Sequence, residues 1–321
     1  MHIPDNYLSP ATCAAFGAAM IPVWKSAVAK VKKEITKKKM PMLGICSAFS
    51  FLIMMFNLPL PGGSTGHAVG AALIAILLGP YAASISVTIA LVIQALFFGD
   101  GGILAIGANC FNMAFVMPFS AYYIYSFIKS WFKGKKGEYA AVILAGYISL
   151  NLAALCTAIE FGIQPALFKD ASGAAMYCPY GLSTAIPAMV IPHLLVAGVI
   201  EALVTLGVYT YVKRVDPDFI YQDSEVKRKP MYGLLIGMIL LCPIGLLATG
   251  TAWGEWAAEE VKSLVGFIPK GMEKGLNFHA IMPDYGVTGL PETVTYIISA
   301  LGGTAIILII FKVLNSRKNR V

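Results

Sequence analysis

A chain of 321 residues that is 58% hydrophobic and only 13% charged, with a mean hydropathy of +0.73, is too apolar to be a soluble two-domain protein. It reads as an all-α, polytopic helical membrane protein. The net charge of +7 calls for no nucleic-acid partner, because the basic residues cluster in short segments between apolar runs, as the positive-inside rule requires.

The first stretch, MHIPDNYLSP, has no basic leader and carries Asp5, so no cleaved signal peptide is expected. His2 is too bulky to favour removal of the initiator Met, and the mature chain is expected to begin at Met1. Apolar runs suited to spanning helices follow at about 8–29, 41–59, 67–79, 81–98, 109–128, 139–161, 184–212, 232–250 and 292–313, nine in all. Four basic segments, Lys30–Lys39, Lys129–Lys136, Lys213–Lys229 and Lys312–Arg320, hold 19 of the 24 Lys and Arg residues. They are expected to face the cytoplasm, which leaves the amino terminus outside and the carboxyl terminus inside a cell membrane. Parity supports a break at Gly79-Pro80, since only two crossings between His67 and Phe98 keep every basic segment on one side. The run from His67 to Leu78 rises about 18 Å against a hydrocarbon core of roughly 30 Å, so His67 is expected below the outer surface. The segment Pro61–Gly66 then enters the membrane as irregular backbone, which is tolerated only where protein or a cavity shields it.

Met1, His2 and His67 form the candidate site. The Met1 α-amine, the His2 backbone nitrogen and the His2 imidazole can close two fused chelate rings on one ion. His67, in GGSTGH, would supply a fourth nitrogen. An all-nitrogen plane suits nickel(II) or copper(II) better than zinc, and its assembly would release protons. The loop FGDGG and the following GANCFNM lie on the same side, where Asn109 and Asn112 either hydrogen-bond around those ligands or cap an ordinary helix. His193, Glu160 and Glu201 fall inside apolar runs, where ionisable groups are relay candidates, although a structural polar network is the simpler reading. His279 is expected to be solvated. Ala11, Ala15 and Ala19, with Ala14 and Ala18, have the small-residue spacing of close helix contacts, for which internal packing is the default. The six cysteines form no framework and read as packing residues, only Cys178 falling in a loop. The chain has no GxxxxGK[ST] loop, no HExxH and no nucleophile motif, so neither ATP hydrolysis nor any other enzyme activity is expected of it. A domain boundary is placed near residue 228. Residues 1–228 form a metal-binding part and residues 229–321 a two-span auxiliary part, whose outer loop carries WGEW and MPDY.

The stretches MHIPDNYLSP, PLPGGSTGHAVGAALIAILLGPYAA, QALFFGDGGILAIGANCFNMAF and HLLVAGVIEALVT together resemble the CbiM/NikM family over residues 1 to about 215. These proteins are the substrate-binding components of energy-coupling factor transporters for nickel and cobalt. The resemblance implies a seven-helix bundle and metal ligands at Met1, His2 and His67. The auxiliary part resembles the small two-span component fused to some members. Implied partners are a transmembrane coupling protein and a pair of cytosolic ATPases, besides membrane lipid. No cofactor is implied, the metal being cargo, with nickel(II) favoured over cobalt(II) by a deprotonated-amide plane. Asn6 departs from the commoner MHIPDG form. Read from residues alone, two other classes remain: a proton-coupled secondary metal transporter using Glu160, His193 and Glu201, and a metal receptor that does not transport.

Overall fold

The computed structural model describes residues 1–35, 40–216 and 228–317. Most of the expected linker Asp216–Pro230, the boundary near residue 228, and Lys37, Lys38, Lys39, Lys227, Lys318 and Arg320 of the basic segments lie outside the described residues or at their edge.

Helix α1 (Pro10–Glu34) begins where the Ser9 hydroxyl accepts the Thr12 amide at 3.0 Å, with Pro10 in the first turn, where its missing N–H leaves no bond unmade. Helix α2 (Met40–Met54) is buried almost throughout. A tight antiparallel hairpin follows, β1 (Leu58–Leu60) against β2 (Ser64–Gly66), turning through Gly62 and Gly63, both at positive φ. The segment expected to be irregular is thus paired with itself, which satisfies backbone groups that burial would otherwise leave unmet. Helix α3 is shorter than the sequence suggests. It runs only from Ala71 to Leu78, because Gly70 adopts a left-handed conformation (φ 74°) and leaves His67–Gly70 outside the helix. At about 12 Å the helix by itself is shorter than a hydrocarbon core of roughly 30 Å. Gly79 (φ 86°) and Pro80 break the chain as expected, and α4 (Pro80–Ile93) continues through a π-turn to Phe98.

Helix α5 (Ile106–Cys110) joins α6 (Met117–Trp131) through a π-turn, and α7 (Gly134–Gly162) leads into the single turn α8 (Gln164–Leu167). Helices α9 (Leu182–Pro192) and α10 (Gly198–Val215) are one rod with a π-turn at His193–Ala197. In the carboxyl-terminal part, α11 (Arg228–Leu241) and α14 (Glu292–Arg317) flank a loop carrying the short helices α12 (Ala258–Val265) and α13 (Lys270–Glu273).

Among the described residues six helical segments are long and apolar enough to cross a membrane: Pro10–Glu34, Pro80–Phe98, Gly134–Leu167, Leu182–Val215, Lys229–Leu247 and Glu292–Ser316. The other three apolar runs fall on α2, on α3 and on the bent rod α5–α6. Helices α6, α7, α9 and α10 pack together, while α2 is held between α4 and α14. Close approach of α14 to α2 rests on Gly303, where a Cβ would stand 2.2 Å from the Phe51 ring. The alanines of α1 correct an expectation. Ala11, Ala14, Ala15, Ala18 and Ala19 are exposed, because this helix buries its other edge through Thr12, Cys13, Met20 and Ala27. All six cysteines are free thiols, and Cys178 is as buried as those in the helices, its amide donating to the Tyr7 carbonyl.

Candidate metal centre

The amino-terminal strap lies inside the protein, with Met1, His2 and Ile3 all buried. Three features thread it there. Asn109 clasps Ile3 on both sides, accepting its amide at 2.8 Å and donating to its carbonyl at 3.0 Å, while the Gly102 amide donates to the same carbonyl. The Asp5 carboxylate accepts the amides of Ile103 (3.0 Å) and Leu104 (2.7 Å). Asn6 takes a left-handed turn (φ 71°) that returns the chain toward α1. Gly102 is obligatory at this contact, since a Cβ would sit 2.4 Å from the Asp5 nitrogen.

With the strap so placed, His2 meets His67. Their ring centroids are 5.0 Å apart with planes inclined by 42°. His67 donates from Nδ1 to the Ala68 carbonyl at 3.1 Å, which fixes the tautomer and leaves the Nε2 lone pair free. His2 donates from Nδ1 to Asp100, and its buried Nε2 has no hydrogen-bond partner among the described residues. The Met1 amine stands 3.5 Å from Glu255. A cavity of about 700 Å³ opens beside these groups, lined by Met1, His67, Asp100, Glu255, Asp284 and Tyr285. Among the described residues no three His, Cys, Asp or Glu side chains are grouped to hold an ion.

Asp100 is the electrostatic pivot. Burial alone pushes its carboxyl up, but His2 beside it, then His67 and the Tyr285 hydroxyl, more than reverse that and hold it below the usual carboxylate range. Tyr285 donates to Asp100 at 2.5 Å and accepts from Gln94 at 2.9 Å. Burial and the adjacent Asp100 charge push its phenol well above the ordinary value, so it stays a donor. Burial also raises the Glu255 carboxyl, against the pull of the Met1 amine.

Glu255 and Tyr285 were invisible to sequence reasoning as neighbours of this pocket. They belong to the carboxyl-terminal part, whose loop covers the strap: Tyr7 donates to the Trp256 carbonyl (2.7 Å), the Trp253 amide to Ser64 (2.8 Å), and the Met282 amide to the Phe97 carbonyl (2.8 Å). The WGEW and MPDY stretches were the available signal, as polar and aromatic residues without helical periodicity in an otherwise apolar chain.

Other sequence candidates separate. Asn109 holds the strap, whereas Asn112 donates to Thr157 (3.0 Å) and Glu160 (2.9 Å), away from the imidazoles. His193 donates to the Met189 carbonyl at 2.6 Å. Glu201 accepts the amides of Val69 (2.7 Å) and Gly70 (3.1 Å). No described hydrogen bond joins Glu160, His193 and Glu201 into one relay. His279 is exposed.

Fold and pocket together define a multi-pass helical membrane protein that gathers its amino terminus and two imidazoles under a polar lid at one end of the bundle. Residues 2–219 match the family model described as the cobalt uptake substrate-specific transmembrane region, and residues 227–317 match the PDGLE domain. The chain therefore belongs to the cobalt uptake substrate-specific transmembrane family, CbiM, with a PDGLE domain following. It is 49% identical to the probable fused nickel transport protein LarMN of Lactiplantibacillus plantarum, the match covering 97% of each chain. It is 42% identical to the fused nickel transport protein NikMN of Rhodobacter capsulatus, over 96% of this chain and 95% of the relative. A crystal structure of a truncated transition metal transporter matches with a TM-score of 0.64 and 55% identity, covering 67% of this chain and 99% of that one.

Proposed function

We propose that this chain captures nickel(II), with cobalt(II) as the second cargo, as the substrate-binding component of an ATP-driven importer of the energy-coupling factor type. The ligands in this reading are the Met1 amine, the His2 amide nitrogen and imidazole, and the His67 imidazole. One observation carries it. In a plane of four nitrogens the amide lies opposite His67, so the two imidazoles are neighbours. Nitrogens roughly 2 Å from an ion then put their ring centroids about 4.5 Å apart, against 5.0 Å between His2 and His67. Two residues distant in sequence are thus held close to cis spacing beside the free amine.

Chelation through His2 requires Nδ1, which in this conformation faces Asp100. A half turn of the ring about Cβ–Cγ leaves its centroid nearly in place, frees Nδ1 for the ion and moves Nε2–H to the Asp100 side. Asp100 then orients a liganded imidazole, as carboxylates commonly do. Coupled uptake would draw on a transmembrane coupling protein and cytosolic ATPases, since this chain has no phosphate-binding loop of its own. The amino terminus and the pocket would face outward in the cytoplasmic membrane, with the basic segments inside.

The deciding experiment titrates nickel and cobalt into the purified chain, wild type beside a variant with one residue inserted between Met1 and His2, with the visible spectrum recorded. A square-planar nickel spectrum lost on insertion is the expected result; unchanged binding overturns the ligand set. Uptake into proteoliposomes then has to require the partner subunits and ATP. Uptake by this chain alone under a pH gradient would instead establish proton coupling.

A further inference from the structure

The Ala68–Val69 peptide plane is hydrogen-bonded at both ends. Its carbonyl accepts His67 Nδ1–H at 3.1 Å, and its N–H donates to Glu201 Oε2 at 2.7 Å. Glu201 is fully buried on α10, and among the described residues no cation forms an ion pair with it. A buried carboxylate without a counter-ion is costly unless strong hydrogen bonds replace its water. Here the replacements are the amides of Val69 and Gly70, the third contact being 3.2 Å from Gly70 to Oε2. The next peptide is held too, with Ser50 donating to the Val69 carbonyl at 2.9 Å. Gly70 keeps its left-handed turn against Phe49, whose ring lies 2.6 Å from where a Cβ would stand.

Resting on the ligand reading above, we infer that Glu201 is a positioning residue of the metal centre, acting on His67 through the Ala68–Val69 peptide. Liganding histidines commonly donate their second N–H to a carboxylate or a carbonyl. Here the two are in series: imidazole N–H, peptide carbonyl, peptide N–H, carboxylate. An acceptor at the far end polarises the peptide and strengthens its carbonyl as an acceptor in turn, since hydrogen bonds in a chain reinforce one another. The relay holds the proton on Nδ1, aims Nε2 at the cargo and increases its donor strength. It also ties the ligand loop to α10, a helix distant from it in sequence.

Glu201→Gln preserves size and one acceptor oxygen but replaces the other with an NH2 that can accept neither amide. The expected result is nickel affinity lower by about tenfold or more, a shifted visible band, and an apparent Tm close to wild type. A folded Glu201→Gln protein with wild-type affinity and band overturns the inference. Should that variant not fold, the wild-type chain decides through 15N spectra of its histidines, with the His67 signals assigned by their loss in His67→Ala. A proton on Nδ1 and a bare Nε2 in the metal-free protein is expected, and a proton on Nε2 overturns the relay. His67→Ala also separates the two readings. If it binds nickel as wild type does, the ligand assignment has failed; if it loses binding while Glu201→Gln keeps it, only the relay has failed.

Discussion

Position 6 has a backbone conformation that L-residues avoid, and Asn is one of the few that tolerate it. The departure from a glycine motif is therefore conformationally conservative, and it adds something glycine cannot: Asn6 donates to the Leu276 carbonyl and accepts the Leu276 amide, each at 2.9 Å. Asn6→Ala is expected to cost about 1–2 kcal/mol from the left-handed turn alone, seen as a lower apparent Tm. Asn6→Gly should keep the turn and lose only the two bonds, giving a smaller drop. At the proposed ligands, His67→Ala should abolish high-affinity nickel binding in a titration, whereas exposed His279→Ala should leave it unchanged. Binding should also strengthen as pH rises, because the amine, the His2 amide and any imidazolium must each lose a proton to the medium. A titration series from acid to neutral pH reads that slope, and a flat profile would count against an amine and amide donor set.

Elements were legible in proportion to how far their own residues decide them. Each apolar run lies on a helix, and Gly79-Pro80 breaks the chain where the sequence places the break. Two elements were not legible. The β1–β2 hairpin is only three residues a side and depends on Gly62 and Gly63 turning left-handed, which Pro61-Gly62-Gly63-Ser64 permits but does not compel. The late start of α3 comes with a left-handed Gly70 whose amide, with that of Val69, is held by Glu201 on α10, and no local pattern encodes that partner. Gly70→Ala tests how tightly this segment is set, since the substitution meets both a positive φ and the Phe49 ring. We expect a loss of about 1–3 kcal/mol, with reduced nickel affinity in the fraction that folds, measured by thermal unfolding beside titration. An apparent Tm unchanged from wild type would show that the segment can relax.

Across the whole molecule, chelation by Met1 and His2 could be suggested from sequence because adjacent atoms need no folding to form it, and His67 entered through its motif. The surroundings could not be read in the same way. Asp100 comes from one loop and Glu255 and Tyr285 from another, far along the chain, and only the packed chain shows Tyr285 donating to the carboxylate that holds His2. The pocket is therefore shared between the part matching the CbiM family and the PDGLE domain, which meets it as a lid with polar groups facing inward. Tyr285→Phe keeps the ring stacked on Phe98, with centroids 4.7 Å apart, and removes only the hydroxyl. Asp100 then loses one donor while Gln94 still reaches it at 3.2 Å, so the carboxylate is loosened, not stranded. Nickel affinity is expected to fall by on the order of tenfold, as for other groups that orient a metal ligand, with little change in apparent Tm. If titration of Tyr285→Phe returns the wild-type affinity, the lid covers the pocket without organising it, and the contribution of the PDGLE domain must lie in a later step than capture.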